Sequence, residues 1–561
     1  MMTAMKVPMQ TLRRIRWRRG TTGSAAGPAP LRGSGRAKAV AAGTATTLAA
    51  LLVLAALAAP NQPGRPFVRI PLEALPGVAA VLLLPGRARR IGAAVAGVAL
   101  ALLTVLKVLD MGFFATFARP FDPMLDWRLF GPAVEVLSDS IGRPGAIGAV
   151  AGVVVLVLGL LVLVPLAVLR LTGIVVRHRA TSIRTVAWLG CAVFGVQVVT
   201  GVPVAATNTA GPVYDHVRLV KEDLGDRGTF AAEASVDAFH GSPGPQLLTA
   251  LRGKDVVVTF VESYGRDAVQ NPEYAPQVTA VLDAGTRQLD EAGFGARSAF
   301  LTSAATGGGS HLAHSTLQSG LWVDNQQRYL QLTSGTRFTL SAAFKRAGWR
   351  TVCFAPANTR NWPEGRIYGY DKIYDSRNMG YRGPTYAMSS IPDQYTISAF
   401  QRLERTAPNR PPLFAEIDLL SSHAPWTPIP RLVDYRGIDD GSTFGGGGQN
   451  GVLERTGAQV RADYRQTIEY SLSVVISYLR TYGDDNLVMV FLGDHQPAPV
   501  ITGENASRDV PVTIVARDPA VLERISGWGW QDGLRPDPQA PVWKMDAFRD
   551  RFLTAFGPSN R

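Results

Sequence analysis

Cysteine is nearly absent from this 561-residue chain, with Cys191 in an apolar segment and Cys353 in a strand-like run. Two thiols exclude a disulfide framework and any thiolate zinc cluster. Acidic residues are missing altogether from the first 40 positions, which carry nine basic ones (Lys6, Arg13, Arg14, Arg16, Arg18, Arg19, Arg32, Arg36 and Lys38). Three further arginines lie at 87, 89 and 90, and four at 170, 177, 179 and 184. These sixteen cations exceed the whole net charge of +13, so the remainder sums to −3. The pI near 9.9 therefore reflects membrane topology rather than a nucleic-acid partner. Zinc-finger spacings, RNA-binding signatures and aromatic-interleaved basic patches are also absent. No GK[ST] accompanies the glycine-rich stretch Gly437 to Gly451, which reads as a surface loop and not a phosphate-binding P-loop.

What the chain does have is length and long apolar runs. It is too long for one ordinary domain. Residues 1–37 are basic, rich in Gly, Pro and Ala, and without apolar periodicity; they read as a disordered cytoplasmic tail. Five apolar stretches follow, at roughly 39–59, 67–85, 91–109, 146–170 and 184–206, most near the ~20 residues that span a bilayer. Arg69, Pro71, Glu73 and Pro76 interrupt the second. The three basic segments fall on one side only if all five stretches span. The expectation is a five-helix transmembrane region over 38–207, with the N-terminus inside and everything after about 207 outside. Ala56-Leu57-Ala58 also resembles a signal-peptidase site, so the first stretch is alternatively a cleaved signal, which leaves the later region outside as well. The aromatic connection at 110–143 reads either as an amphipathic element in the outer interface, flooring the outer domain, or as a packed loop.

Beyond a linker at 208–250, the pattern over 251–561 becomes short β-branched runs alternating with helical stretches, an α/β domain. Strands are predicted at 255–261, 297–301, 349–354, 412–419, 487–492 and 510–516. Helices are predicted at 275–292, 311–320, 338–347, 393–405 and 456–482. No internal repeat is evident.

Chemistry-bearing residues gather where those elements end, and in open α/β sheets ligands bind beyond the carboxyl ends of strands. Asn486 to Leu492 runs into Gly493-Asp494-His495-Gln496-Pro497, an Asp-His pair able to hold a cation that polarises a phosphoryl or sulfuryl group. Asp255 to Val261 ends in Glu262-Ser263-Tyr264-Gly265, where Glu262 offers a hard oxygen ligand. Gly307-Gly308-Gly309 precedes Ser310 at a predicted helix start, a setting for a phosphate at a helix N-terminus and for an activated hydroxyl nucleophile. Leu413 to Leu420 leads into Ser421-Ser422-His423, and His423 is placed to protonate a leaving group or hold a substrate oxygen. Trp362 and Arg366 follow the 349–354 strand, with a ring to stack and a guanidinium to clamp a phosphorylated headgroup. Each motif alone is equally a cap, a turn or a surface contact; their convergence on one sheet edge favours a site.

The motifs VESYG (261–265), GGGSHLAHSTLQSG (307–320), SSHAPW (421–426) and LGDHQP (492–497), in this order behind apolar helices, resemble the lipoteichoic acid synthase and phosphoglycerol transferase group of the alkaline phosphatase/sulfatase superfamily. The resemblance implies one divalent ion, Mn²⁺ or Mg²⁺ with Zn²⁺ as an alternative, held by Glu262, Ser310, Asp494 and His495. It implies Ser310 as nucleophile, with Thr306 in reserve, and substrate contacts from His423, Trp362 and Arg366. Two departures stand out. Three residues separate Trp362 from Arg366, against one in the lipoteichoic acid enzymes, and the position of that group's other substrate histidine falls on Ala355. Sulfatases need Pro and Arg after their nucleophile for formylglycine formation; Leu312 and His314 take those places. The resulting expectation is a multi-pass cell-membrane protein with an extracytoplasmic catalytic domain. It would move a phosphoryl-linked group from a membrane lipid or envelope polymer through a covalent phospho-serine. A sulfatase or phosphodiesterase of the same fold and a non-catalytic envelope scaffold are the alternatives.

Overall fold

A computed structural model describes residues 33–558, apart from 64–69, 72–73, 201–204, 207–209, 385, 387–390 and 448–454. The predicted tail at 1–37 and the last part of the glycine-rich loop thus lie largely outside the described residues. Among these, three helices are long and apolar enough to cross a membrane, over Arg36–Ala58, Gly86–Phe117 and Ile141–Arg177. They belong to α1 (Gly33–Ala58), α3 (Gly86–Phe117) and α4 (Phe130–Arg177), and they contain the first, third and fourth apolar stretches. The second stretch yields only α2 (Ala74–Leu83), ten residues or about 15 Å, half of a ~30 Å bilayer core. The fifth is helical as α5 (Arg179–Thr200) and is not among the three.

The three long helices form one bundle. Ala56, Leu100, Ala101 and Val164 share a buried cluster, and Gly97 lies so close to Pro165 that a side chain there would sit 2.6 Å from its Cα. The Lys107 ammonium is buried and donates to the carbonyls of Ala56 and Leu57, satisfying the orphan C-terminal acceptors of α1. Helix α4 departs from helical geometry at Gly142 (φ 77°). The connection expected at 110–143 is shorter than its sequence suggested: α3 continues to Phe117 and α4 begins at Phe130. Between them Phe113, Phe121, Trp127 and Phe130 pack ring to ring at 5.1–5.7 Å. The segment read as a linker contains a 26-residue helix, α6 (Ala210–Ser235). Its charges (Asp215 to Glu233) gave no apolar stripe to read.

The C-terminal domain is a nine-stranded mixed sheet between two helical layers. Its strands are β1 (Asp255–Val261), β2 (Gly295–Thr302), β3 (Arg350–Ala355), β4 (Lys372–Asp375), β5 (Leu413–Leu419), β6 (Leu487–Gly493), β7 (Asp509–Ala516), β8 (Gln531–Asp532) and β9 (Val542–Lys544). Their order is β8-β2-β7-β6-β1-β5-β3-β4, with β9 also on β2. Strands β6, β1, β5, β3 and β4 run parallel, so their carboxyl ends share one edge. β1 and β6 are buried along their whole length, which is why both appear as unbroken apolar runs. Alternate residues of β1 feed opposite cores. Val257 and Val261 pack with α7 (Ala275–Glu291) and α12 (Gly457–Tyr482). Val256, Val258 and Phe260 pack with α8 (Ser310–Ser319) and α10 (Leu340–Arg346). The tryptophan-rich C-terminal stretch closes the far sheet edge: Trp528, Trp530 and Trp543 meet at 4.9–5.2 Å, holding β8 and β9 against β2.

Candidate active site

Three adjacent strand ends and one helix start build the site. β1 and β6 are in register from Asp255↔Leu487 to Val261↔Gly493, so Glu262 and Asp494 emerge side by side. Their approach requires Gly493, where a Cβ would lie 1.9 Å from the Tyr264 carbonyl oxygen. β5 pairs with the other side of β1 up to Leu419. The Ser422 hydroxyl then donates to the Glu262 carbonyl at 2.6 Å, pinning the loop that carries His423. The third wall comes from the loop after β2: Gly307 N donates to Gln496 O at 2.8 Å, and Gly309 (φ 83°) turns the chain into α8 with Ser310 as its first residue.

Glu262, Asp494 and His495 are buried, with ligand atoms all within 4.8 Å of one another. The Ser310 hydroxyl lies 3.0 Å from Glu262 Oε2 and 3.2 Å from His495 Nε2. A surrounding shell fixes each of them. Asp494 Oδ1 accepts from the amides of Ser263 and His495, Glu262 Oε1 accepts from the Ser263 hydroxyl, and His495 Nδ1 lies 2.8 Å from Gln496 O. That last contact leaves Nε2 facing Ser310, the second-sphere orientation that metal-binding histidines show. Two carboxylates, one imidazole and one hydroxyl, all preoriented, fit a hard divalent cation.

The electrostatics agree with that donor set. Burial raises Glu262, but the charges of His495 and His423 and the Ser263 hydrogen bond outweigh it and hold the carboxyl at about 2. Asp494 goes the other way, to about 6, through burial and the repulsion of Glu262. Burial lowers His495, and Asp494 and Glu262 overcome it to raise the imidazole. Two carboxylates crowded without an arginine in contact are what a cation would relieve.

The remaining sequence-predicted residues divide. His423 is close enough to act on Glu262, and its Nδ1 lies 2.6 Å from Ala424 O. The Thr306 hydroxyl accepts from Arg508 Nε at 3.2 Å and is not among the groups around Glu262. Trp362 donates to the Tyr329 hydroxyl at 3.2 Å, and Tyr329 meets His311 edge-on at 4.8 Å, so Trp362 reaches the nucleophile helix through two contacts. Arg366 is exposed and makes no side-chain hydrogen bond or ion pair among the described residues. Sequence reasoning missed a second cluster, in which His314 Nδ1 lies 3.4 Å from Glu416 Oε1 and 3.6 Å from Asp418 Oδ1 while the imidazole stacks on Phe260 at 3.7 Å. Burial opposes the charge, yet Asp418 and Glu416 push His314 up to about 9. Acids at alternate positions of a buried strand, Glu416 and Asp418, were the available signal.

The loop before Ser310 also touches the apolar helical bundle. A Cβ at Gly307 would fall 2.0 Å from Thr116 O, and one at Gly308 would fall 2.9 Å from the Phe117 ring. Helix α3, with 32 residues, is about 48 Å long and outreaches a ~30 Å bilayer core. Its carboxyl end is the seat of the loop before Ser310.

Residues 254–507 match the sulfatase family. Among solved structures, the chain is similar to the integral membrane lipooligosaccharide phosphoethanolamine transferase EptA from Neisseria meningitidis, at 14% identity over 86% of this chain and 88% of that one, with a TM-score of 0.44. It is similar to the lipoteichoic acid synthase LtaP from Listeria monocytogenes at 14% identity over 56% and 74%, TM-score 0.38. A third is the Streptococcus pyogenes phosphoglycerol transferase GacH in complex with sn-glycerol-1-phosphate, at 13% identity over 58% and 91%, TM-score 0.35. No curated protein sequence matches the chain.

Proposed function

We propose that this chain, whose residues 254–507 form a domain of the sulfatase family, is a membrane-anchored phosphotransferase acting on a phosphodiester of a membrane lipid or envelope polymer. The observation that carries the reading is the Ser310 hydroxyl held between Glu262 and His495, beside Asp494, on a loop seated against a membrane-spanning helix. A divalent ion held by Glu262, Ser310, Asp494 and His495 would supply the positive charge that acidifies a hydroxyl and offsets charge growing on phosphoryl oxygens. Ser310 Oγ, its proton released to solvent, attacks phosphorus and the bond to the leaving alcohol breaks. The alcohol oxygen takes a proton from His423, whose Nδ1 contact with Ala424 O leaves Nε2 for the substrate. The phospho-serine is then opened by an acceptor hydroxyl, which gives its proton to His423 as the Oγ–P bond breaks, and the released Ser310 regains a proton from solvent. Glu262, low-pKa and buried, stays ionised and holds the serine proton's end of the hydrogen bond before attack.

Topology supports an outward-facing site. With the basic N-terminus inside, five spans put the domain outside together with the Phe117 end of α3 that touches its loop, whereas spans by the three long helices alone would leave that end of α3 inside, away from the domain it meets. Five spans also gather Arg87, Arg89 and Arg90 with the other basic segments on the inner face. The test is incubation of the full chain with headgroup-labelled phosphatidylglycerol, with and without a polyol. Label on the polyol is the expected result. Label released equally into water in both arms makes the protein a hydrolase and refutes the transferase reading.

A further inference from the structure

Between the end of α3 and the outer domain lies a cavity of about 610 Å³. Phe114, Phe117 and Val500 give it apolar walls, Thr306, Glu504 and Arg508 polar ones. The arginines nearest to this junction are neutralised: Arg119 pairs with Asp126, Arg328 with Asp226, and Arg266 with Asp509. Arg508 differs. It is exposed, its Nε donates to Thr306 Oγ1, and among the described residues no carboxylate lies within ion-pair distance of it, Asp324 acting on it only from farther off. Even its neighbour Asp509 is occupied, by Arg266 and by the Thr302 hydroxyl at 2.8 Å. Its backbone is nonetheless fixed to the site: Arg508 O accepts from Ser303 N at 2.9 Å, and the Ser303 hydroxyl donates to Asp494 O at 2.5 Å.

We propose that Arg508 binds the phosphate of a membrane lipid whose glycerol and proximal acyl segments occupy this cavity, and so selects the donor presented to Ser310. An unpaired guanidinium is a ready partner for phosphate. The apolar wall is the tip of a membrane-spanning helix, and exposed Met124, Trp127 and Phe130 beside it form the kind of aromatic belt that sits at headgroup level. A cation at the mouth of a partly apolar space walled by the end of an apolar helix fits an amphiphile better than a free anion. The inference deepens the phosphotransfer reading and rests on it.

The test uses the full chain in detergent micelles with Ser310→Ala to block turnover, titrated with fluorescent phosphatidylglycerol and with the matched diacylglycerol. Arg508→Gln, which still reaches Thr306, is expected to weaken phosphatidylglycerol binding at least ~10-fold, about one decade of Kd. Diacylglycerol binding stays unchanged, and Arg508→Lys, which keeps the charge, recovers part of the loss. Equal affinity of Arg508→Gln and its parent for phosphatidylglycerol overturns the inference. So does displacement of the lipid by equimolar inorganic phosphate, which would assign the guanidinium to a free anion. With Ser310 restored, Arg508-dependent binding without turnover would refute phosphotransfer and leave this binding site standing. Turnover indifferent to Arg508 would do the reverse.

Discussion

Gly307→Ala probes the seat of the nucleophile loop on α3. Gly307 has φ +72°, and a methyl there meets Thr116 O at 2.0 Å, more than 1 Å inside ordinary contact. Two costs follow. The left-handed backbone alone disfavours alanine by about 1–2 kcal/mol. The overlap involves backbone on both sides, so loop or helix must shift by about 1 Å, and a displacement of that size at reacting groups costs ~100-fold in rate. Gly253→Ala separates the two costs, because Gly253 has φ +79° with nothing within 4 Å of its Cβ position and sits at the amino end of β1, away from the site. Labelled-lipid turnover and thermal unfolding of both variants form the assay. Both should lose comparable stability, while only Gly307→Ala loses about two decades of rate. Equal turnover in the two variants would mean that the loop does not depend on the end of α3.

Two further outcomes follow from the same geometry. Glu262→Gln removes one of two carboxylates from the donor set, and bound divalent metal measured by mass spectrometry after dialysis should fall from about one ion per chain to near none; an unchanged content would place the ion elsewhere. Asp393, at the start of α11 (Asp393–Phe400), is raised to about 6 by burial, despite hydrogen bonds from Ser471 and Ser421. Because the folded state holds this proton more tightly, its contribution to stability is greatest below about pH 4 and declines as pH rises to about 6. The full loss is roughly 3 kcal/mol. Asp393→Asn should flatten the melting temperature across that window, whereas parallel curves for variant and parent would show that Asp393 does not titrate there.

The parts of the fold that were legible in sequence share a physical cause. Strands β1, β5, β6 and β7 are buried apolar runs bounded by turn residues, and their observed limits differ from the predicted ones by one residue at most. Helix α12 matched within one residue because a Thr456–Gln459 capping box marks its start. Glu262, Ser310, Asp494 and His495 were legible as strand-end and helix-start residues, and the structure brings them together. What escaped depends on contacts between distant segments. His314 meets Glu416 and Asp418 across about a hundred residues; the alternate acids of one buried strand stand out, but nothing local names His314 as their partner. The seat of Gly307 on Thr116 joins two domains. Strands β8 and β9 are two and three residues long, too short for any period to mark them. Trp362 and Arg366, paired by their spacing, part in three dimensions: one ring is packed toward α8 through Tyr329, and the other side chain faces solvent.

The central claim is that Ser310 Oγ becomes bonded to phosphorus during turnover. Acid quenching of the full chain in the presence of a phospholipid donor, followed by mass spectrometry of the peptide spanning Thr306 to Gly320, tests it directly. A phosphoryl-linked adduct on Ser310, absent from Ser310→Ala together with turnover, is the predicted result. An adduct on Thr306, a formylglycine at position 310, or full turnover by Ser310→Ala would contradict it.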